Sequence, residues 1–204
     1  MRGLMKHSLG LTVLVLVSTV LSGCGEADSG QDCRTDPNAC VGFMYCDQAS
    51  GACLAGCGSD EQCEGANESC NTETHECECD AGLVRCDDFC IDEIEPTLAA
   101  IQVEIFDSVG CSAIPCHGAE VPPFGLDLTS VNTSEASLVS VESGQSPPKL
   151  RVAPGDSAAS YLMNKILGVD MAPDTERMPL VAPPLCDARI EAVRAWIDAG
   201  APTN

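Results

Sequence analysis

Eleven of the chain's 15 cysteines fall in the 58 residues from Cys33 to Cys90, and this density limits what that segment can fold into. Its larger apolar residues are few: Val41, Phe43, Met44, Tyr45, Leu54, Leu83, Val84 and Phe89, with Ile91 just beyond. Ordering a backbone costs about 1–2 kcal/mol per residue. So small an apolar set cannot offset that, and disulfides must supply the constraint. Glycine, aspartate and asparagine fill the gaps, as expected for tight turns between short extended pieces. Cys40, Cys46, Cys53 and Cys57 resemble Cys63, Cys70, Cys77 and Cys79 in spacing, which predicts a loosely repeated knot of roughly 20–25 residues. Cys86 and Cys90 with His75 offer zinc ligands. No second well-spaced Cys/His pair accompanies them, and cysteine-rich exported chains form disulfides instead.

Export is read from the start of the chain. Arg2, Lys6 and His7 precede an apolar run over residues 9–21, shorter than the roughly 20 residues of a spanning helix. The run ends in Leu21-Ser22-Gly23-Cys24, which resembles the bacterial lipoprotein lipobox. The resemblance implies cleavage before Cys24 and a diacylglycerol on its thiol, with two or more acyl chains anchoring the chain to a membrane. The other reading is an ordinary signal peptide, with Cys24 as one more disulfide cysteine. Residues 25–32 then form a polar tether. Fifteen cysteines are odd, and lipidation of Cys24 leaves an even fourteen. The eleven between Cys33 and Cys90 are themselves odd, so full oxidation demands a disulfide to the C-terminal half. A formal charge of −21 argues against binding nucleic acid or anionic lipid and favours basic partners or solubility.

From about Glu93 the cysteines thin out and apolar residues recur at helical spacing. Leu98, Ile101, Ile105 and Phe106 share one face, predicting a helix over 95–109 that stops near Gly110. A short helix is expected between Ser134 and Val141. Another is expected after the Pro154-Gly155-Asp156 turn, capped by Asp156 or Ser157, burying Leu162 and Ile166 and stopping at Gly168. Pro173, Pro179, Pro183 and Pro184 keep the next stretch irregular. The last helix begins near Asp187, turns Ile190, Val193, Trp196 and Ile197 inward, and ends at Gly200.

Between the first two of these helices stands Cys111-Ser-Ala-Ile-Pro-Cys116-His117. Two cysteines followed directly by a histidine match covalent haem attachment, in which two thiols become thioethers and the imidazole binds iron. Four residues separate the cysteines where the usual motif has two. The competing reading is a Cys111–Cys116 disulfide. A second axial ligand is expected from the methionines. Met163 sits in a helix and reads as core. Met178 precedes Pro179, which favours an extended backbone able to present a thioether. Met171 is the alternative.

Taken with the segments around it, this region resembles the exported c-type cytochrome domains common in myxobacteria and planctomycetes. The matching pieces are Ile105-Phe106-Asp107, Cys116-His117-Gly118, Gly125-Leu-Asp-Leu-Thr129, the run from Arg151 to Leu162, Arg177-Met-Pro-Leu180 and the run from Ile190 to Ala201. They cover about half the chain. The resemblance implies haem c on Cys111 and Cys116, His117 and Met178 as iron ligands, and first and last helices crossing near the haem. Separately, the segment from Gly82 to Asp92 resembles a fragment of the stigma-specific-protein-like repeat.

The expected organisation is a lipoprotein signal over 1–23, a lipidated Cys24 with tether over 24–32, a disulfide-rich module over 33–92 and a haem domain over 93–204. The expected fold is mostly α, a small cytochrome c-like helical domain preceded by an irregular, short-β module. The expected function is a lipid-anchored electron carrier with redox partner proteins, facing the periplasm or cell surface, and not an enzyme. The alternative is a haem-free surface lipoprotein that binds a partner or glycan. Lys149, Arg151 and Arg177 are read either as cations for haem propionates or as solvated surface charges.

Overall fold

The structure, a computed structural model, describes residues 32–36 and 38–203. The export signal, Cys24 and the start of the tether lie outside the described residues.

Three antiparallel hairpins follow one another. They pair β1 (Met44–Cys46) with β2 (Cys53–Ala55), β3 (Glu68–Asn71) with β4 (Glu76–Cys79), and β5 (Leu83–Cys86) with β6 (Phe89–Asp92). Side chains of the turns close the first two. The Asp47 carboxylate accepts from the Ser50 amide at 3.0 Å, and the Asn71 side chain accepts from the Glu73 amide at 3.0 Å. Among the described residues from 33 to 92, every buried apolar side chain is a cysteine: Cys33, Cys57 and Cys86. The sulfurs take the place of a core, as the composition demands.

The disulfides follow one rule. Each strand carries one cysteine except β4, which carries Cys77 and Cys79. In the first, Cys46 pairs with Cys33 and Cys53 with Cys40. In the second, Cys70 pairs with Cys57 and Cys77 with Cys63. The repeat therefore runs 33–53 and 57–77, and the phase expected from spacing, beginning at Cys40, is corrected. In the third, Cys90 pairs with Cys79, but Cys86 reaches across to Cys186. The helical half thus donates the cysteine that completes the last hairpin, which is the cross-module bond that parity requires. Polar contacts join successive hairpins. The Gln62 amide donates to the Gly42 and Met44 carbonyls, the Tyr45 ring stacks on His75, and Arg85 pairs with Glu68 at 2.6 Å.

The C-terminal half begins with α1 (Leu98–Ile101), whose Thr97 side chain accepts from the Ala100 amide. The helix then widens into π-helical turns over Gln102–Asp107. Then come α2 (Val131–Leu138), α3 (Tyr161–Leu167) and α4 (Asp187–Asp198). α2 starts earlier than expected because Ser130 and Thr133 form a capping box. Ser160, not Asp156 or Ser157, is the N-cap of α3, while Gly168 ends it at φ 73° as expected. The predicted inward residues of α1 and its π extension, and of α4, are all buried. Trp196 is fully enclosed, its indole N–H donating to the Pro202 carbonyl at 2.9 Å.

The mostly-α expectation is overturned. Among the described residues only 25% are helical and 16% are strand, in four helices and small antiparallel sheets, which is not a mostly-α cytochrome fold. The segments between helices explain the difference. Residues 139–156 are tied by isolated bridges, Val139 to Val152 and Glu142 to Leu150 among them. Residues 168–186 carry four prolines, which cannot donate to a helical ladder. Helical periodicity is real in this half but confined to short windows.

Candidate functional site

The site is assembled on the turn that leaves the π-helical segment. A π-helical turn places one extra residue in the ladder, and here it brings Gln102 into the core, 4% exposed. The Gln102 amide donates to the Leu128 carbonyl at 2.8 Å and to the Asp107 carboxylate at 2.9 Å, and its carbonyl accepts from the Ser134 hydroxyl at 2.7 Å. Leu128 in turn donates its amide to the His117 carbonyl at 3.0 Å, while the His117 amide donates to the Cys111 carbonyl at 3.0 Å. The histidine backbone is thereby held on both sides. Gly118 follows because nothing larger fits: a Cβ there would stand 1.8 Å from the Ser112 carbonyl oxygen.

The His117 ring is half-buried, with Nδ1 3.1 Å from the Leu126 carbonyl oxygen. A carbonyl only accepts, so Nδ1 carries the proton and Nε2 presents a lone pair, the tautomer of a metal-binding imidazole. Burial, followed by the charges of Arg151 and Lys165, holds the imidazole below its ordinary pKa and favours this neutral form, against the raising effect of the Leu126 bond. Arg151 secures the Leu126 turn. The residue is 9% exposed, and its guanidinium donates to the carbonyls of Ser137 at 2.7 Å, of Gly125 and of Phe124.

Six disulfides consume twelve of the fourteen described cysteines, and the two left as free thiols are Cys111 and Cys116. Cys111 packs against the core, and burial first, then the charge of Cys116, pushes its thiol up to about 11. Cys116 is exposed. Met178 is half-buried, its amide donating to the Lys165 carbonyl at 2.9 Å; Met171 is half-buried on the same loop, and Met163 lies in the core. The segments carrying these groups also bear exposed apolar side chains: Ile114 is 78% exposed, Val121 86% and Val181 90%, with Phe124 and Leu180 beside them.

Other ligand sets are engaged elsewhere. Among the described residues, the groups of three donors drawn within 4.8 Å are Cys33, Cys40 and Cys46, and Cys57, Cys63 and Cys77. All six are disulfide sulfurs. Cys86 and Cys90 are also disulfide-bonded, and His75 Nδ1 lies 3.0 Å from the Cys57 carbonyl oxygen, which removes the zinc set. Arg151 is buried and is not a solvated surface charge, whereas Lys149 is exposed and donates to the Asn164 side chain at 3.2 Å. Gln102 and Lys165 were not anticipated as site residues. The one available signal was a polar side chain inside an apolar run, in Ile101-Gln102-Val103 and in Asn164-Lys165-Ile166.

The six disulfides place the chain in an oxidising, extracytoplasmic setting. No helix among the described residues is long and apolar enough to cross a membrane. No family model, no curated protein and no solved structure matches the chain.

Proposed function

We propose that this protein is an exported, lipid-anchored one-electron carrier that holds haem c through Cys111 and Cys116, with His117 as proximal and Met178 as distal ligand. The observation that carries the reading is the pattern of thiol use: every other described cysteine is oxidised, while the two beside His117 are free. The donor set fits the group. Two thiols can become thioethers, the protonated Nδ1 leaves Nε2 available for iron, and exposed apolar side chains stand on the segments a porphyrin would cover. When bound, the haem iron supplies one-electron exchange, and a His/Met axial pair raises its potential relative to two histidines.

The chain's own residues orient and insulate. Gln102 and Arg151 fix the two backbone segments that hold His117, and the Leu126 carbonyl fixes the ring. The cytochrome-like helical fold is no part of this reading, which rests on the local thiol and imidazole geometry. No substrate turnover is assigned. Outside the signal segment the histidines are His75, engaged with Cys57 and Tyr45, and His117. The acidic surface favours basic redox partners, met through long-range attraction. Cys24 would carry the lipid that holds the protein at the membrane.

Expression with the cytochrome c maturation machinery tests the proposal. The expected product keeps its haem stain on a denaturing gel and shows an alpha band on reduction. Colourless protein with a Cys111–Cys116 disulfide would reject it in favour of a haem-free binding lipoprotein. Cys24→Ala should move the protein from the membrane to the soluble fraction.

A further inference from the structure

α3 offers one face to the loop that carries Met171 and Met178. Tyr161 and Lys165 lie four residues apart, hence on the same side of the helix. The Tyr161 hydroxyl accepts from the Ala172 amide at 3.2 Å, and the Thr175 hydroxyl donates to the Ala172 carbonyl at 2.7 Å. Lys165 engages the far end of the loop twice. Its ammonium donates to the Glu176 carbonyl, and its own carbonyl accepts from the Met178 amide at 2.9 Å.

Lys165 as a whole residue is 6% exposed in a chain with 31 Asp and Glu residues, yet the ion pairs of the described residues do not include it. Burying an ammonium is expensive unless it is hydrogen-bonded, and a carboxylate is the usual partner. A backbone carbonyl as acceptor ties the charge to a loop position instead. Glu176 and Met178 are thus both held to one residue, whereas Met171 has only its neighbour Ala172 pinned.

We infer that Lys165 is the positioning residue for the distal ligand: by gripping the loop at Glu176 and Met178 it selects Met178 over Met171. This rests on the proposed haem site, and the test separates the two claims.

In haem-loaded protein, Lys165→Met removes the ammonium donor and keeps an unbranched chain. It should lower the fraction showing the red charge-transfer band of a methionine–iron bond by about tenfold, the factor that one charge-assisted hydrogen bond carries. Lys165→Arg should retain the band. A folded, haem-loaded Lys165→Met protein with the full band overturns the inference and leaves the haem proposal standing.

Amide exchange of wild-type, haem-free protein decides the clip independently of iron and of how the variants fold. The Met178 amide should exchange as slowly as that of Gly168, which bonds within α3, and at least tenfold slower than that of Leu180. Equal rates at Met178 and Leu180 overturn the clip. Absence of haem in the wild type rejects the proposed function, and the exchange comparison repeated on haem-free Lys165→Met still judges the side chain: Met178 exchange unchanged from wild type overturns its role.

Discussion

Replacing both Cys86 and Cys186 by alanine cuts the bond that makes the hairpins and helices one folding unit. The two are 100 residues apart, against 11 to 14 for the other five pairs. On the chain-entropy relation a loop of that length stabilises by about 4.7 kcal/mol, compared with roughly 3 for a loop of about 15 residues. Both cysteines are 6% exposed, so alanine also leaves small voids. For a domain of this size, each kcal/mol moves the melting temperature by about 2–4 °C. The double variant should therefore melt about 10–20 °C lower. Calorimetry measures the shift, and the fluorescence of Trp196, the sole tryptophan and fully enclosed, follows the helical half. A loss below about 1 kcal/mol would refute the reasoning, because the long loop would then not be closed by this bond. Non-reducing peptide mapping that joins Cys186 to Cys111 or Cys116 would refute it too, and would remove the free thiols on which the haem site depends.

Two further perturbations probe the site. In haem-free protein, iodoacetamide should modify the exposed Cys116 first. Cys111, with a thiol raised to about 11 by burial, is about one part in a thousand thiolate at pH 8 and should label about tenfold faster per unit of rising pH. Equal labelling at pH 8, read by mass spectrometry, contradicts the burial argument. Gln102→Leu strands the Leu128 carbonyl and the Ser134 hydroxyl in the core, so urea unfolding should show a loss of about 2–4 kcal/mol. An unchanged midpoint would show that the buried amide does not hold the His117 segment.

Much of the helical half was legible because its buried faces repeat locally. Leu98, Ile101, Ile105 and Phe106, and Ile190, Val193, Trp196 and Ile197, are inward as their spacing predicts. The widening of the first helix was not legible, since one extra residue in the ladder leaves no mark on an apolar stripe that short. Helical content was overread for the same reason: a few turns of periodicity between prolines do not make a helical domain. The Cys111, Cys116 and His117 cluster was legible as a pattern of residue types. The hydrogen bonds that aim its histidine come from Leu126, Arg151 and Gln102, up to 34 positions away, and spacing cannot report them.

Composition by itself determined that the cysteine-rich half must be held by sulfur, because it lacks the apolar surface to hold itself. Parity determined that one of its thiols must find a partner among the helices. Which thiols pair was decided only by tertiary structure, since any two cysteines are alike to the chain until folding brings their Cβ atoms within bonding reach. That choice, Cys86 with Cys186, is also what leaves Cys111 and Cys116 unpaired beside His117.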